Sequence, residues 1–312
     1  MRAGAQAEAS PPRVTAYAAK FFPEEKTMTE GFMHTRRFGS GRHEVSIVGL
    51  GGEGILRTHG LDSAATEVIE SAIQEGITYF DSARAYAGSE GYYGRVWQAR
   101  PADRQRVFQT SKSAMRGKRE ALAELEQTLS NMGIEALDLW QIHDVRTRDD
   151  IRAIEGPGGA LEAFVQARDQ GKVRFIGVTG HHDPAVLTQA VRGWPVDAVL
   201  MPVNPVEGVL GGFLDQTLPA AREKGIAVIG MKVLGASHYL FPGSGVTPEL
   251  LIRFALSQPI TVAIVGCSTP AHVAALASVG RSPNPLTPEE QQGLLDAFRP
   301  HAGQLGFYRG VI

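Results

Sequence analysis

Four side chains of this sequence have the types needed to move one proton and one hydride: Asp81, Tyr86, Lys112 and His143. Asp81 and Tyr86 lie in Tyr79-Phe80-Asp81-Ser82-Ala83-Arg84-Ala85-Tyr86, Lys112 in Gln109-Thr110-Ser111-Lys112-Ser113, and His143 in Leu139-Trp140-Gln141-Ile142-His143-Asp144. Reduction of a carbonyl needs an acid that protonates the oxygen as hydride arrives. A tyrosine, with an ordinary pKa of about 10, is too weak for this unless a cation favours its phenolate, and Lys112 has the right charge. Burial would strip a lysine of its proton unless a carboxylate stayed beside it, a part that suits Asp81. A neutral imidazole at position 143 would donate a hydrogen bond to the substrate oxygen and hold it in place.

Such a group works only if the chain brings it together. Asp81, Lys112 and His143 each close a short apolar, β-branched or aromatic run, where a polar group falls if the run is a buried parallel strand ending at an active-site mouth. Runs of this kind recur at 45–49, 78–81, 107–110, 137–142, 174–178, 198–201, 227–231 and 261–265. Between them, segments such as 64–75, 118–131, 161–170, 184–191, 214–224 and 248–257 carry apolar residues at helical spacing. Gly76, Gly171 and Gly225 sit where helix C-caps belong. Eight strands alternating with helices predict an α/β fold, a single (β/α)₈ TIM barrel over residues 33–312. A terminal helix is expected at 287–298, with Thr287 as N-cap and Pro288 at N1. Residues 1–32, rich in Ala, Glu, Pro and Thr, read as a short flexible extension.

The formal net charge of −2 and the lack of a long basic run argue against nucleic acid or an anionic membrane as partner. A small molecule is expected instead. The single cysteine, Cys267, excludes an intrachain disulfide and any cysteine-rich metal module, which fits a reducing cytoplasm. The 1–32 stretch has no apolar core of signal-peptide length, and Arg36-Arg37 is followed by polar residues, not by the apolar segment of a twin-arginine signal. No window approaches the roughly 18 consecutive apolar residues of a membrane span.

The order Asp81, Tyr86, Lys112, His143, with Ser89-Glu90 and Gly94 after the tyrosine, resembles the tetrad of the aldo-keto reductase superfamily. The resemblance runs from about Met33 to the C-terminal region. It implies NAD(P)H-dependent, reversible reduction of an aldehyde or ketone to an alcohol, with Tyr86 as general acid in reduction and base in oxidation. It also implies a cofactor lying over the mouth, against Gly51, Gly52, Thr179, Asn204, Lys232, Leu234, Gly266, Ser268 and His272. Here the chain departs from the pattern of the family it resembles. Where many members hold the nicotinamide amide with Ser-Asn and Gln and stack an aromatic ring on it, this chain has Thr179-Gly180, Leu200 and Met231. Where members specific for the phosphorylated cofactor use Lys, Ser, Arg and Asn, it has Gly266, Cys267, His272 and Leu276. His272 would be a weaker partner for a 2′-phosphate than the planar fork of arginine. NADP(H) is favoured on this reading and NAD(H) is not excluded. A regulatory subunit that binds cofactor with little turnover is the alternative, and a barrel of unrelated chemistry a third reading.

Other motifs invite weaker readings. Gly49-Leu50-Gly51-Gly52-Glu53-Gly54 matches G-x-G-x-x-G, yet no helical period starts within it, so it reads as a barrel-mouth loop that lets cofactor or substrate approach. His181-His182-Asp183-Pro184 lacks metal-ligand spacing, and Asp183-Pro184 reads as the start of a helix. Trp140 and Phe108 are expected in the core. Arg84, Arg146 and Arg148 could meet an acidic substrate, with surface ion pairing as the plainer expectation.

Overall fold

A computed structural model describes residues 31–241 and 244–311. The expected extension at 1–32 lies outside them except for Gly31 and Phe32. Eight parallel strands form a closed barrel: β3 (Val48–Gly54), β4 (Tyr79–Phe80), β5 (Phe108–Ser113), β6 (Leu137–Ile142), β7 (Val173–Thr179), β8 (Ala198–Pro202), β9 (Ala227–Met231) and β10 (Val262–Cys267), the last pairing with the first. A two-stranded hairpin, β1 (Thr35–Arg37) and β2 (Glu44–Ser46), precedes the barrel. Arg36, one of the paired arginines, donates from Nη1 to Ile260 O at 2.5 Å.

The first predicted strand thus resolves into two. Its opening residues belong to β2, the chain bends at Ile47, and the barrel strand runs on to Gly54. Ser46 makes the bend: its Oγ donates to Val48 O and accepts from Thr78 N–H. Gly51 and Gly52 consequently lie in β3 and not in a loop.

Side chains alternate in and out along each strand. Phe38 and Val45 from the hairpin join Tyr79, Phe108, Leu139, Leu200, Ile229 and Ile264 in one buried cluster that fills the barrel, and the rings of Phe38 and Phe108 lie 4.6 Å apart. Phe80, Trp140 and Ile142 belong to the larger cluster between strands and helices. There Trp140 stacks on Phe164 at 3.6 Å. Asp81, Lys112 and His143 are each an even number of residues beyond an inward-facing one, Tyr79, Phe108 and Leu139, so the same alternation turns all three towards the axis at one end.

The surrounding helices are α1 (Asp62–Gln74), α2 (Ser89–Ala99), α3 (Lys118–Met132), α4 (Ala160–Asp169), α5 (Pro184–Gly193), α6 (Leu218–Glu223), α7 (Pro248–Ser257) and α8 (Pro270–Arg281). The terminal helix α9 (Pro288–Phe298) has Thr287 as N-cap in a reciprocal capping box with Glu290. Asp183 caps α5 by accepting from Ala185 N–H, with Pro184 first in the helix. Among the described residues no helix is long and apolar enough to cross a membrane.

Candidate active site at the barrel mouth

Lys112 is fully buried, and its ammonium donates to Asp81 Oδ2 at 2.7 Å, to Ser82 O at 2.8 Å and to Tyr86 Oη at 3.4 Å. Burial pushes the lysine down, but Asp81 and Tyr86 together outweigh it and hold the ammonium above its ordinary pKa. Asp81 is fixed in turn by Thr110, whose hydroxyl donates to Oδ1 at 3.1 Å. The Lys112 ammonium therefore sits, charged, between a carboxylate and a phenol.

Tyr86 lies on the loop after β4, not on a strand, and the loop is tightly tied. Arg84 N–H donates to Lys112 O, Tyr86 N–H to Ala83 O and Gly88 N–H to Thr58 O, and Ala87 takes a left-handed φ of 41°. Behind the loop Glu90, the second residue of α2, accepts from Ser111 and Thr128 on one oxygen and from Arg84 and Asn131 on the other, all at 2.7–3.0 Å. The ring needs Gly52: a Cβ there would stand 2.4 Å from Tyr86 Cδ2. Burial raises the pKa of Tyr86, and Lys112 pulls it back only in part, so the net direction is upward. The expected tuning by Lys112 is present but is the smaller effect in the chain alone.

His143 faces Tyr86 edge to face, with ring centroids 5.7 Å apart. Burial, helped by the charge of Lys112, lowers its pKa to about 3. The imidazole is neutral at ordinary pH, as positioning by hydrogen-bond donation requires. The turn after it is held by Thr179, whose Oγ1 accepts from Asp144 N–H at 3.0 Å, and Asp144 pairs with His181 Nε2 at 3.2 Å.

The other residues singled out in the sequence also collect at this end, though many are engaged within the protein. A Cβ on Gly51 would meet the backbone of Val265 and Gly266 at 3.0 Å, and one on Gly266 would meet Glu53 at 2.7 Å. The room that a side chain would take at these glycines and at Gly52 is occupied by the neighbouring strand and by the Tyr86 ring. Asn204 caps the short helix Pro205–Leu210 by accepting from Glu207 N–H, and its Nδ2 donates to Lys232 O and Tyr308 Oη, both at 3.1 Å. Ser268 N–H donates to His272 Nδ1 at 3.3 Å, and burial lowers the pKa of His272. Leu234 is a half-buried apolar wall.

Lys232 differs from these. It has a left-handed φ of 55°, and no carboxylate approaches its ammonium within 4 Å among the described residues. A half-buried cation without an ion-pair partner suits an anionic group such as a cofactor phosphate. By contrast, Arg84 pairs with Glu90 at 2.7 Å and Arg146 with Asp144 at 2.6 Å, while Arg148 opens the helix Arg148–Glu155 at the surface. Among the described residues no group of three or more His, Cys, Asp or Glu could hold a metal.

Sequence reading missed four contributors: Thr110 beneath Asp81, Arg57 and Glu53 beside Tyr86, and Tyr308. Arg57 lies over the Tyr86 ring, 5.1 Å from its centroid, and pairs with Glu53. Thr110, two residues before Lys112 on the same strand, was findable from alternation alone. Tyr308 had no local signal.

Residues 48–240 match the model of the aldo/keto reductase family. Aldo-keto reductase str7 of Strobilurus tenacellus is 28% identical over 215 residues, 64% of this chain and 61% of that protein. Probable aldo-keto reductase 1 of Glycine max is 27% identical over 239 residues, 72% of this chain and 65% of that protein. The matches thus span under two thirds of either relative's length. An aldo-keto reductase of Klebsiella pneumoniae, solved in complex with NADPH, superposes with a TM-score of 0.70 at 21% identity, covering 86% of this chain and 95% of that one. With the family model extending from the first barrel strand to beyond the seventh, the chain belongs to the aldo/keto reductase family.

Proposed function

We propose that the protein is a nicotinamide-dependent oxidoreductase that interconverts an aldehyde or ketone and the corresponding alcohol, with NADP(H) as the favoured cofactor and NAD(H) as the second candidate. The observation that carries this reading is the Lys112 ammonium held by Asp81 at 2.7 Å and reaching Tyr86 Oη at 3.4 Å, with neutral His143 beside the same ring. Lys232, Leu234, the backbone at Gly266 and Ser268, and the N-terminus of α8 are the groups that would hold a phosphate-bearing nucleotide. The Klebsiella pneumoniae aldo-keto reductase solved in complex with NADPH supports the choice of cofactor. When bound, the nicotinamide supplies or accepts the hydride at the carbonyl carbon.

The side chains do the rest. In reduction Tyr86 gives its hydroxyl proton to the carbonyl oxygen, and the phenolate left behind lies next to a cation that Asp81 keeps charged. Neutral His143 donates to the same oxygen and fixes its direction. In oxidation the phenolate takes the alcohol proton back. Cofactor preference should be modest, because His272 is disfavoured as a cation by burial and already accepts from Ser268. The test is a steady-state assay against a panel of aldehydes and ketones with NADPH and NADH, beside direct titration of each nucleotide. Turnover with at least one carbonyl supports the reading. Nucleotide binding with negligible turnover across the panel would favour a regulatory subunit, and no binding of either nucleotide would sink both.

A further inference from the structure

Beyond α9 the chain returns to the mouth, and three consecutive residues tie it down. Tyr308 Oη donates to Glu207 Oε1 at 2.6 Å and accepts from Asn204 Nδ2. Arg309 pairs with Glu207 Oε2 at 3.0 Å, both side chains almost wholly buried, and Gly310 N–H donates to His182 O at 3.0 Å. A buried ion pair is a costly way to gain stability, because desolvation offsets most of its attraction. Here it fixes the position of one ring.

That ring lies under Lys232. The Lys232 ammonium lies 5.1 Å from the Tyr308 centroid, within the range of a cation–π contact. The Asn204 amide that donates to Tyr308 Oη also donates to Lys232 O, at the residue whose backbone is left-handed. Tyr308 therefore acts on both ends of Lys232, on the ammonium through its ring and on the main chain through Asn204. We propose that Tyr308 is a positioning residue for Lys232, so that residues 307–311 form part of the phosphate side of the nucleotide site. The naming of a nucleotide as ligand rests on the function proposed above; the coupling of Tyr308 to Lys232 does not.

Two measurements test this. The first needs no ligand: with the ring beneath the ammonium, the Lys232 ε-methylene protons should show an upfield ring-current shift, identified by its absence in Lys232→Arg. The shift should persist in Tyr308→Phe and vanish in Tyr308→Leu. The second is a cycle of NADPH dissociation constants for wild type, Tyr308→Leu, Lys232→Met and the double variant. Tyr308→Leu should weaken NADPH by roughly 3- to 30-fold, the scale of a partly desolvated cation–π contact, and change kcat at saturation by less than about threefold, as expected for lost binding common to ground and transition states. The double variant should be no weaker than Lys232→Met. An unshifted Lys232 resonance, or losses that add in the double variant, would overturn the proposal. If the resonance is shifted while wild type binds neither nucleotide, the cofactor reading has failed and the coupling stands. Tyr308→Phe, which keeps the ring, covers the case in which Tyr308→Leu does not fold.

Discussion

Tyr86 is under opposing influences: the burial that shields it from water raises its pKa, and Lys112 lowers it again. Tyr86→Phe removes the hydroxyl that Lys112 Nζ reaches, so kcat should fall by at least about 100-fold, the low end of a general acid's contribution, with nucleotide affinity nearly unchanged. Retained activity there, with loss in Tyr92→Phe or Tyr93→Phe, would move the acid elsewhere. Lys112→Met should push the tyrosine's pKa up further. Reduction needs the protonated phenol and fails as pH rises through that pKa, so its alkaline limb should move to higher pH, as should the rising limb of oxidation. Asp81→Asn removes a charge that itself raises the phenol's pKa as well as the partner that keeps Lys112 charged, two opposed effects, so its shift should be smaller than that of Lys112→Met. Unmoved profiles in both variants would leave these two residues a purely structural role. At this scale the sequence was most legible. Strand ends and chemical type together mark Asp81, Lys112 and His143, whereas nothing in one dimension shows that Thr179 accepts from Asp144 N–H or that Asn204 donates to Lys232 O and Tyr308 Oη.

Elements were read best where apolar spacing is regular and worst where close packing dictates the residue. The strands near 137–142 and 227–231 match β6 and β9, but α2 went unseen because Gly91 and Gly94 weaken its helical pattern. Gly94 has a packing reason: a Cβ there would lie 2.2 Å from Asn131 O of α3. Gly52 is the same kind of residue on β3, and its neighbour is the Tyr86 ring. Gly52→Ala should displace that ring, lowering kcat at least tenfold while stability drops by about 1–3 kcal/mol, the usual range for overpacking. Steady-state kinetics and urea denaturation measure the two effects. A stability loss with unaltered kcat would show that the ring position is not critical.

Over the whole molecule, the buried groups that join distant parts of the chain leave a pH signature. Burial pushes the Glu207 carboxyl from 4.5 up to about 7, against the pull of Tyr308 and Arg309. The folded protein then holds a proton that the unfolded chain has released, so stability falls as pH rises from about 4.5 to 7 and levels off above that. Glu207→Gln removes the titration. The stability of wild type relative to this variant should therefore decline between pH 4.5 and 7.5, by on the order of 3 kcal/mol at most. A difference flat in pH would mean that Arg309 keeps the carboxylate charged throughout. Contacts such as Glu207 to Arg309 join residues 102 positions apart (309 − 207), and nothing in either local sequence announces the other, which is why the strap over the mouth was not foreseen. The barrel order has a further meaning. The acid, its cation, the carboxylate and the imidazole come from three adjacent strands, β4 to β6, and the segments that follow them, while the positions read as nucleotide ligands come from β7 to β10 and β3. On the function proposed above, proton delivery and nucleotide choice would occupy separate arcs of one ring, so a graft of the β7–β10 loops from a relative should exchange electron-donor preference without rewriting the acid–base chemistry.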